Sequence, residues 1–83
     1  MGKYDSFRVY LIRAGNAPVE MTFAEIADIV GGLPASAYDH RAWWANENAV
    51  GRHVQADAWR GAGRSVTEVN MLGNQVRFSE RFR

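Results

Sequence analysis

The sequence predicts one α+β domain with three main helices, a short extra helix and a C-terminal β-hairpin joined by a short third strand. Three observations lead to this fold class. Apolar residues have helical spacing in the first half, a capping box precedes the second helix, and a glycine–asparagine turn signal separates two strand-like runs near the C-terminus. The 83 residues, 47% of them hydrophobic, suit a single domain over residues 1–83 with a small core.

The first helix is predicted over residues 5–14, because four apolar residues fall on one helical face at spacings i, i+3, i+4 and i+7. These residues are Phe7, Tyr10, Leu11 and Ala14. Apolar and charged residues then alternate over residues 19–21, which predicts a short edge strand.

A second helix is predicted to begin after Thr22, because Thr22 and Glu25 have the spacing of a capping box, in which each side chain bonds the other's backbone amide. Met21 and Ile26 occupy the positions of a hydrophobic staple around this start. The pair Gly31-Gly32 ends the helix.

A third helix is predicted over residues 37–46, after a turn at Leu33-Pro34. The short glycine-containing connection gives the second and third helices a helix-turn-helix arrangement. Trp43 and Trp44 are adjacent on this helix and point about 100° apart, so both cannot lie in the same core layer. We expect Trp44 to face inward.

Residues 52–61 are predicted to form the short extra helix, followed by two strands at 65–71 and 75–82. Gly73-Asn74 is the hairpin signal between the strands. The apolar positions of the earlier strand break the two-residue alternation, which predicts a bulge near Thr67-Glu68. The complete order of elements is that of a winged helix-turn-helix, in which the short strand pairs with the hairpin and the third helix enters a DNA groove.

The run His-Arg-Ala-Trp-Trp-Ala-Asn at residues 40–46 carries a resemblance to a known family. Together with the capping box upstream and Trp59 downstream, it resembles a small bacterial domain family that occurs as a short stand-alone protein and has no characterised function. The resemblance covers residues 4–80 and implies a shared fold and a shared Trp-Trp-Asn feature, but no reaction. The chain differs from the family pattern at Arg64, where the family has an aromatic residue.

The charge distribution favours a nucleic-acid partner only mildly. Residues 1–40 carry three basic and five acidic side chains, a net charge of −2, whereas residues 41–83 carry seven basic and four acidic side chains, a net charge of +3. All the basic residues of the second half are arginine, whose planar guanidinium suits phosphate and base edges.

The leading hypothesis is therefore binding of double-stranded DNA through residues 37–46 and arginines of the hairpin. His40, Arg41 and Asn46 are the candidate readers, because these side chains pair with base edges or phosphates, and an exposed Trp43 would stack on a base. Phosphate contacts are expected from five further arginines: Arg52, Arg60, Arg64, Arg77 and Arg81.

Each candidate residue also has a structural alternative. Asn46 could cap the end of the third helix, Arg41 could pair with a neighbouring carboxylate, and Trp43 could pack against Trp59. His40 could simply lie on the helix surface or pack against a tryptophan. The arginines could form a solvated face.

Two other functions remain open from the sequence. The first is a protein-interaction module in which Trp43 or Trp44 anchors a partner or a second copy of the chain. The second is an aromatic pocket for a modified base or a small ligand, built from Trp43, Trp59 and Tyr38.

An enzyme is not expected. The chain has no cysteine, and its two histidines, His40 and His53, lie thirteen residues apart with no third metal ligand signalled. No cofactor is predicted, because the sequence contains no phosphate-cradling glycine loop and no nucleophile motif. No apolar run approaches the roughly 18 residues of a membrane span, and the N-terminus lacks the apolar region of a signal peptide, so we expect a cytoplasmic protein.

Overall fold

The computed structural model of the protein describes residues 2–15, 17–46 and 55–80. Within these residues the chain forms four α-helices, one 3₁₀ helix and three strands. Their bounds are α1 Asp5–Arg13, β1 Val19–Thr22, α2 Phe23–Val30, α3 Ala35–Asp39, the 3₁₀ helix Arg41–Trp44, α4 Ala56–Gly61, β2 Arg64–Asn70 and β3 Gln75–Glu80. The predicted α+β class is confirmed. Nowhere in this described part is a helix long and apolar enough to cross a membrane.

The three strands form one antiparallel sheet in the order β1-β3-β2. The turn between β2 and β3 contains Asn74 in the left-handed region, with φ of 54°, which agrees with the predicted hairpin signal. The register of β2 against β3 shifts between Val66 and Glu68, which confirms the predicted bulge. Val76 and Phe78 are buried, so the inner face of β3 also follows the predicted alternation.

The start of α2 is the capping box that the sequence predicts. The Thr22 hydroxyl accepts from the Glu25 amide at 3.1 Å, and the Glu25 carboxylate accepts from the Thr22 amide at 2.8 Å. Gly31 ends the helix with φ of 83°, a conformation that favours glycine because side chains with a Cβ rarely adopt it.

The third helix departs from prediction. The sequence predicts one helix over residues 37–46, but α3 ends at Asp39 and His40 is extended, with φ of −128° and ψ of 115°. A continuous α-helix would use the Ala37 carbonyl as the acceptor for the amide of residue 41. Here the indole Nε1 of Trp44 donates to that carbonyl at 2.9 Å. The break at His40 therefore turns the chain and places Trp44 in the core.

A column of aromatic rings forms the centre of the core. Trp44 stacks on Phe23 at 4.7 Å and on Trp59 at 6.0 Å between ring centroids, and Trp59 contacts Phe78 at 5.4 Å. Trp44 and Trp59 are each 1% exposed, so the predicted inward position of Trp44 is confirmed. This column connects α2, the 3₁₀ helix, α4 and the sheet, and each aromatic pair adds about 0.5–1.5 kcal/mol beyond its buried area.

Candidate nucleic-acid interface

The junction between α3 and the 3₁₀ helix presents two of the predicted site residues side by side. His40 and Arg41 are both exposed. One terminal nitrogen of Arg41, Nη1, donates to the Val69 carbonyl at 2.9 Å, which holds the guanidinium against the outer side of β2. Arginine carries five N–H groups, so this contact leaves other donors for a ligand.

An open groove of about 880 Å³ lies between the 3₁₀ helix and β2. Its lining combines apolar residues, Ala42 and Ala45 on the helix side and Val66 and Val69 on β2, with the polar β2 residues Thr67, Glu68 and Asn70. Arg41 lies on the helix side of this groove. The predicted reader is thus next to an apolar surface as well as to solvent.

Asn46 is held inside the protein by hydrogen bonds rather than presented to a ligand. Its Oδ1 accepts from the Val66 amide at 2.7 Å and from the Trp59 indole at 3.0 Å, and its Nδ2 donates to the Val66 carbonyl at 2.9 Å. The Asn46 carbonyl also accepts from Arg60 at 2.9 Å. These contacts use the side chain that base recognition would need, so neither Asn46 nor Nη1 of Arg60 is available in this conformation.

Trp43 is half-buried and packs against Trp44, at 4.6 Å between ring centroids, and against Tyr4 rather than against Trp59. Its ring meets Tyr4 edge-on at 6.1 Å, and burial raises the pKa of the Tyr4 hydroxyl above its ordinary value of 10.0. Of the three aromatic residues predicted for a ligand pocket, Trp43 and Trp59 both contact Trp44, at 4.6 and 6.0 Å between ring centroids, whereas Tyr38 contacts Phe23 at 5.5 Å.

Arg64 is buried, with 2% exposure, and this position corrects its predicted role as a phosphate contact. Its guanidinium donates to four backbone carbonyl oxygens and forms no ion pair with a carboxylate of the described residues. The acceptors are the carbonyls of Leu11, Gly15, Ala17 and Phe78. Because Leu11 lies in the last turn of α1 and Gly15 lies just beyond its C-terminal end, the partial negative charge of that end favours the cation.

Arg77 lies among acidic residues on the outer face of the sheet. It forms an ion pair with Glu20 at 3.7 Å and stands opposite Glu68 in the pairing of β2 with β3. These carboxylates offset its charge, so the outer face of the sheet is not a basic surface. Arg52 and Arg81, the remaining predicted phosphate contacts, lie outside the described residues.

Sequence reasoning missed the structural use of Gln55. This side chain is buried, and its Nε2 donates to the Trp43 carbonyl at 2.9 Å. Together with the Asn46 contacts, this bond fastens α4 to the segment that follows α3. The only signal in the sequence was a polar residue at the start of an otherwise apolar helix face.

A known family model matches nearly the whole chain. The model of a family described as "Domain of unknown function (DUF7662)" matches residues 4–81. The chain belongs to this family. Neither the curated proteins nor the solved structures gave a match. In this DUF7662 domain, His40 and Arg41 are the predicted base readers that remain at the described surface.

Proposed function

We propose that this DUF7662 domain binds double-stranded DNA as a winged helix-turn-helix. The observation that supports this proposal is the sheet order β1-β3-β2, in which the strand between the first two helices pairs with the last strand of the hairpin. The helices α2 and α3 are joined by residues 31–34, the short connection typical of a helix-turn-helix. Because one fold can serve many unrelated functions, a binding experiment decides the proposal.

The proposed reading surface is the end of α3 and the start of the 3₁₀ helix. Arg41 would pair with a guanine edge or a phosphate through its remaining N–H groups, and His40 would donate to a phosphate. The helix α3 has five residues and is about 7.5 Å long, roughly the rise of two base pairs. We therefore expect modest sequence specificity.

The charge pattern limits which side faces the DNA. Glu20 and Glu68 lie on the outer face of the sheet beside Arg77. Phosphates would be repelled there, and Glu68 also lines the groove beside Arg41. The DNA is therefore proposed to contact the end of α3 and the start of the 3₁₀ helix rather than the groove. Arg52 and Arg81 remain proposed phosphate contacts. With few such contacts, affinity should be low and should fall with a shallow salt slope of about −0.9 per phosphate.

The test is fluorescence anisotropy of labelled duplex and single-stranded DNA with the purified domain at about 50 and 200 mM salt. Duplex binding that weakens with salt is expected. The Arg41→Ala variant should bind about tenfold or more weakly, as the loss of one good base or phosphate contact implies. The matched control is Arg8→Ala, which removes an exposed arginine from α1 and should leave binding unchanged.

No duplex binding at the lower salt concentration would reject the proposal. Equal losses for Arg41→Ala and Arg8→Ala would reject the proposed surface, because that result would mean that only net charge matters.

A second candidate function, the protein-interaction module, is favoured by the partly apolar groove between the 3₁₀ helix and β2. An extended peptide with small apolar side chains would fit against Ala42, Ala45 and Val69. A random peptide library displayed on phage would find such ligands. The Ala42→Tyr variant, which fills the groove, should lose the selected peptides, whereas Arg8→Ala should retain them.

A further inference from the structure

The outward face of α1 carries an ordered stripe of residues that the core does not use. Asp5, Val9 and Arg13 follow one another at intervals of four residues, so they lie along one side of the helix. Phe7 and Leu11 are the buried residues of α1 and face the opposite direction. The stripe therefore has an acid at its N-terminal end, an apolar residue in the middle and a base at its C-terminal end.

The apolar part of this stripe has no explanation in the folding of the monomer. Val9 is 43% exposed, and its neighbour Ile12 is 55% exposed. Both are β-branched, and such residues favour a helix less than the lysine or glutamate that commonly occupies an exposed helical position. Val9 also lines an open pocket of about 500 Å³ together with Tyr10, which is 44% exposed, and Ile29 of α2. Exposed apolar surfaces of this kind mark contact sites.

We propose that this face of α1 binds a second copy of the chain, with the two α1 helices antiparallel about a two-fold axis at Val9. A two-fold interface must be self-complementary, so that a contact from residue i to residue j is repeated from j to i. The stripe meets this requirement. Val9 would meet its own copy, and Asp5 at one end would lie opposite Arg13 of the partner helix, giving two ion pairs.

The two charged groups are available for this pairing. Arg13 is exposed and makes no hydrogen bond or ion pair within residues 2–15, 17–46 and 55–80. One carboxylate oxygen of Asp5, Oδ2, accepts from the Gly2 amide at 2.9 Å, and the other has no partner in that same part of the chain. The inference does not depend on DNA binding, because its residues lie on a different element from His40 and Arg41.

The size of this α1 face determines how strongly the two copies are expected to bind each other. The helix α1 has nine residues and is about 13 Å long, so a contact through it alone buries less than the roughly 1,000 Å² of a stable interface. We therefore expect a weak dimer with a dissociation constant on the order of 0.1 mM.

The test uses two charge variants, Asp5→Arg and Arg13→Asp, studied by sedimentation equilibrium from about 10 µM to 1 mM, a range that brackets the expected dissociation constant. The wild type should dimerise across this range. Each variant alone should dimerise at least tenfold more weakly, because both ion pairs become repulsive. An equimolar mixture should dimerise again, because one helix then carries two basic and its partner two acidic residues.

Recovery in the mixture separates an interface from a defect in folding, since two damaged monomers would not repair each other. Arg8→Asp is the matched control: it makes the same change of charge on α1 outside the stripe and should dimerise like the wild type. Val9→Asn changes an exposed side chain and should fold as a monomer. A wild type that stays monomeric at 1 mM, a mixture that stays monomeric, or a Val9→Asn variant that dimerises normally would each overturn the proposal.

Discussion

The side-chain amide of Asn46 pairs with both backbone groups of Val66, accepting from its amide at 2.7 Å and donating to its carbonyl at 2.9 Å. The amide thus bonds to β2 much as a residue of a neighbouring strand would. The same Oδ1 also accepts from the Trp59 indole. One side chain therefore connects the end of the 3₁₀ segment, α4 and the sheet.

Asn46→Asp should lower the free energy of unfolding by about 1–3 kcal/mol, because the variant keeps the acceptor but leaves the Val66 carbonyl without a donor. Urea denaturation measures the change. Asn70→Asp is the matched control. Within the part of the chain that the structure describes, Asn70 uses only its Oδ1, which accepts from the Gly73 amide at 2.9 Å, so this variant should differ from wild type by less than about 0.5 kcal/mol. Equal losses in the two variants would contradict the proposed role of the Asn46 donor.

Arg64→Lys should destabilise the domain by about 2 kcal/mol or more, because a lysine ammonium cannot reach all four carbonyl oxygens that the guanidinium bonds. The free energy of unfolding in urea is again the measurement. Arg77→Lys is the comparison, since Arg77 lies at the surface in an ion pair with Glu20, and exposed pairs contribute about 0–1 kcal/mol. If Arg64→Lys lowers the free energy of unfolding no more than Arg77→Lys does, the buried hydrogen bonds of Arg64 do not stabilise the domain as proposed.

Thr22→Ala should lower the free energy of unfolding by about 1 kcal/mol, the usual loss when an N-cap side chain is removed. Glu25→Gln should stay within about 0.5 kcal/mol of wild type, because a glutamine carbonyl can still accept from the Thr22 amide. Thermal unfolding, monitored by circular dichroism, ranks the stabilities of the variants. If the glutamine variant lost as much stability as Thr22→Ala, the charge of Glu25 rather than its hydrogen bond would be the cause.

Stability should fall as the pH rises above about 10, partly through Tyr4. Burial raises the pKa of Tyr4 in the folded protein, so the unfolded chain loses this proton first and binds fewer protons in that range. The slope of unfolding free energy against pH is then negative. In Tyr4→Phe this contribution is absent, and urea denaturation between about pH 8 and pH 10.5 should show a smaller decrease than in wild type. Identical slopes would contradict the assignment to Tyr4.

The features that the sequence predicted well are local ones. The capping box of Thr22 and Glu25 depends on residues three apart, and the hairpin turn depends on a short run with one left-handed residue. The bulge near Val66 was visible as a break in alternation. In each case the interacting groups are close in the chain, so the pattern contains the information.

The features that the sequence did not reveal depend on distant groups. The carbonyls that hold Arg64 include those of Leu11 and Ala17, 53 and 47 residues away in the chain. No residue pattern distinguishes a buried arginine bonded to such carbonyls from an exposed one that contacts phosphate. The sequence does not predict the break at His40 for a similar reason. Helical propensity carries no information about the Trp44 indole, which donates a hydrogen bond to the Ala37 carbonyl.

The strand β2 lies at an edge of the sheet, where a protein usually risks pairing with another chain. On its outer side, Asn46 occupies both backbone groups of Val66, and Arg41 occupies the carbonyl of Val69. A strand from a neighbouring molecule would have to displace both side chains before it could add to the sheet. These two side chains therefore oppose open-ended, amyloid-like strand pairing at this edge. A ligand that draws Arg41 away from Val69 would remove one of the two obstacles.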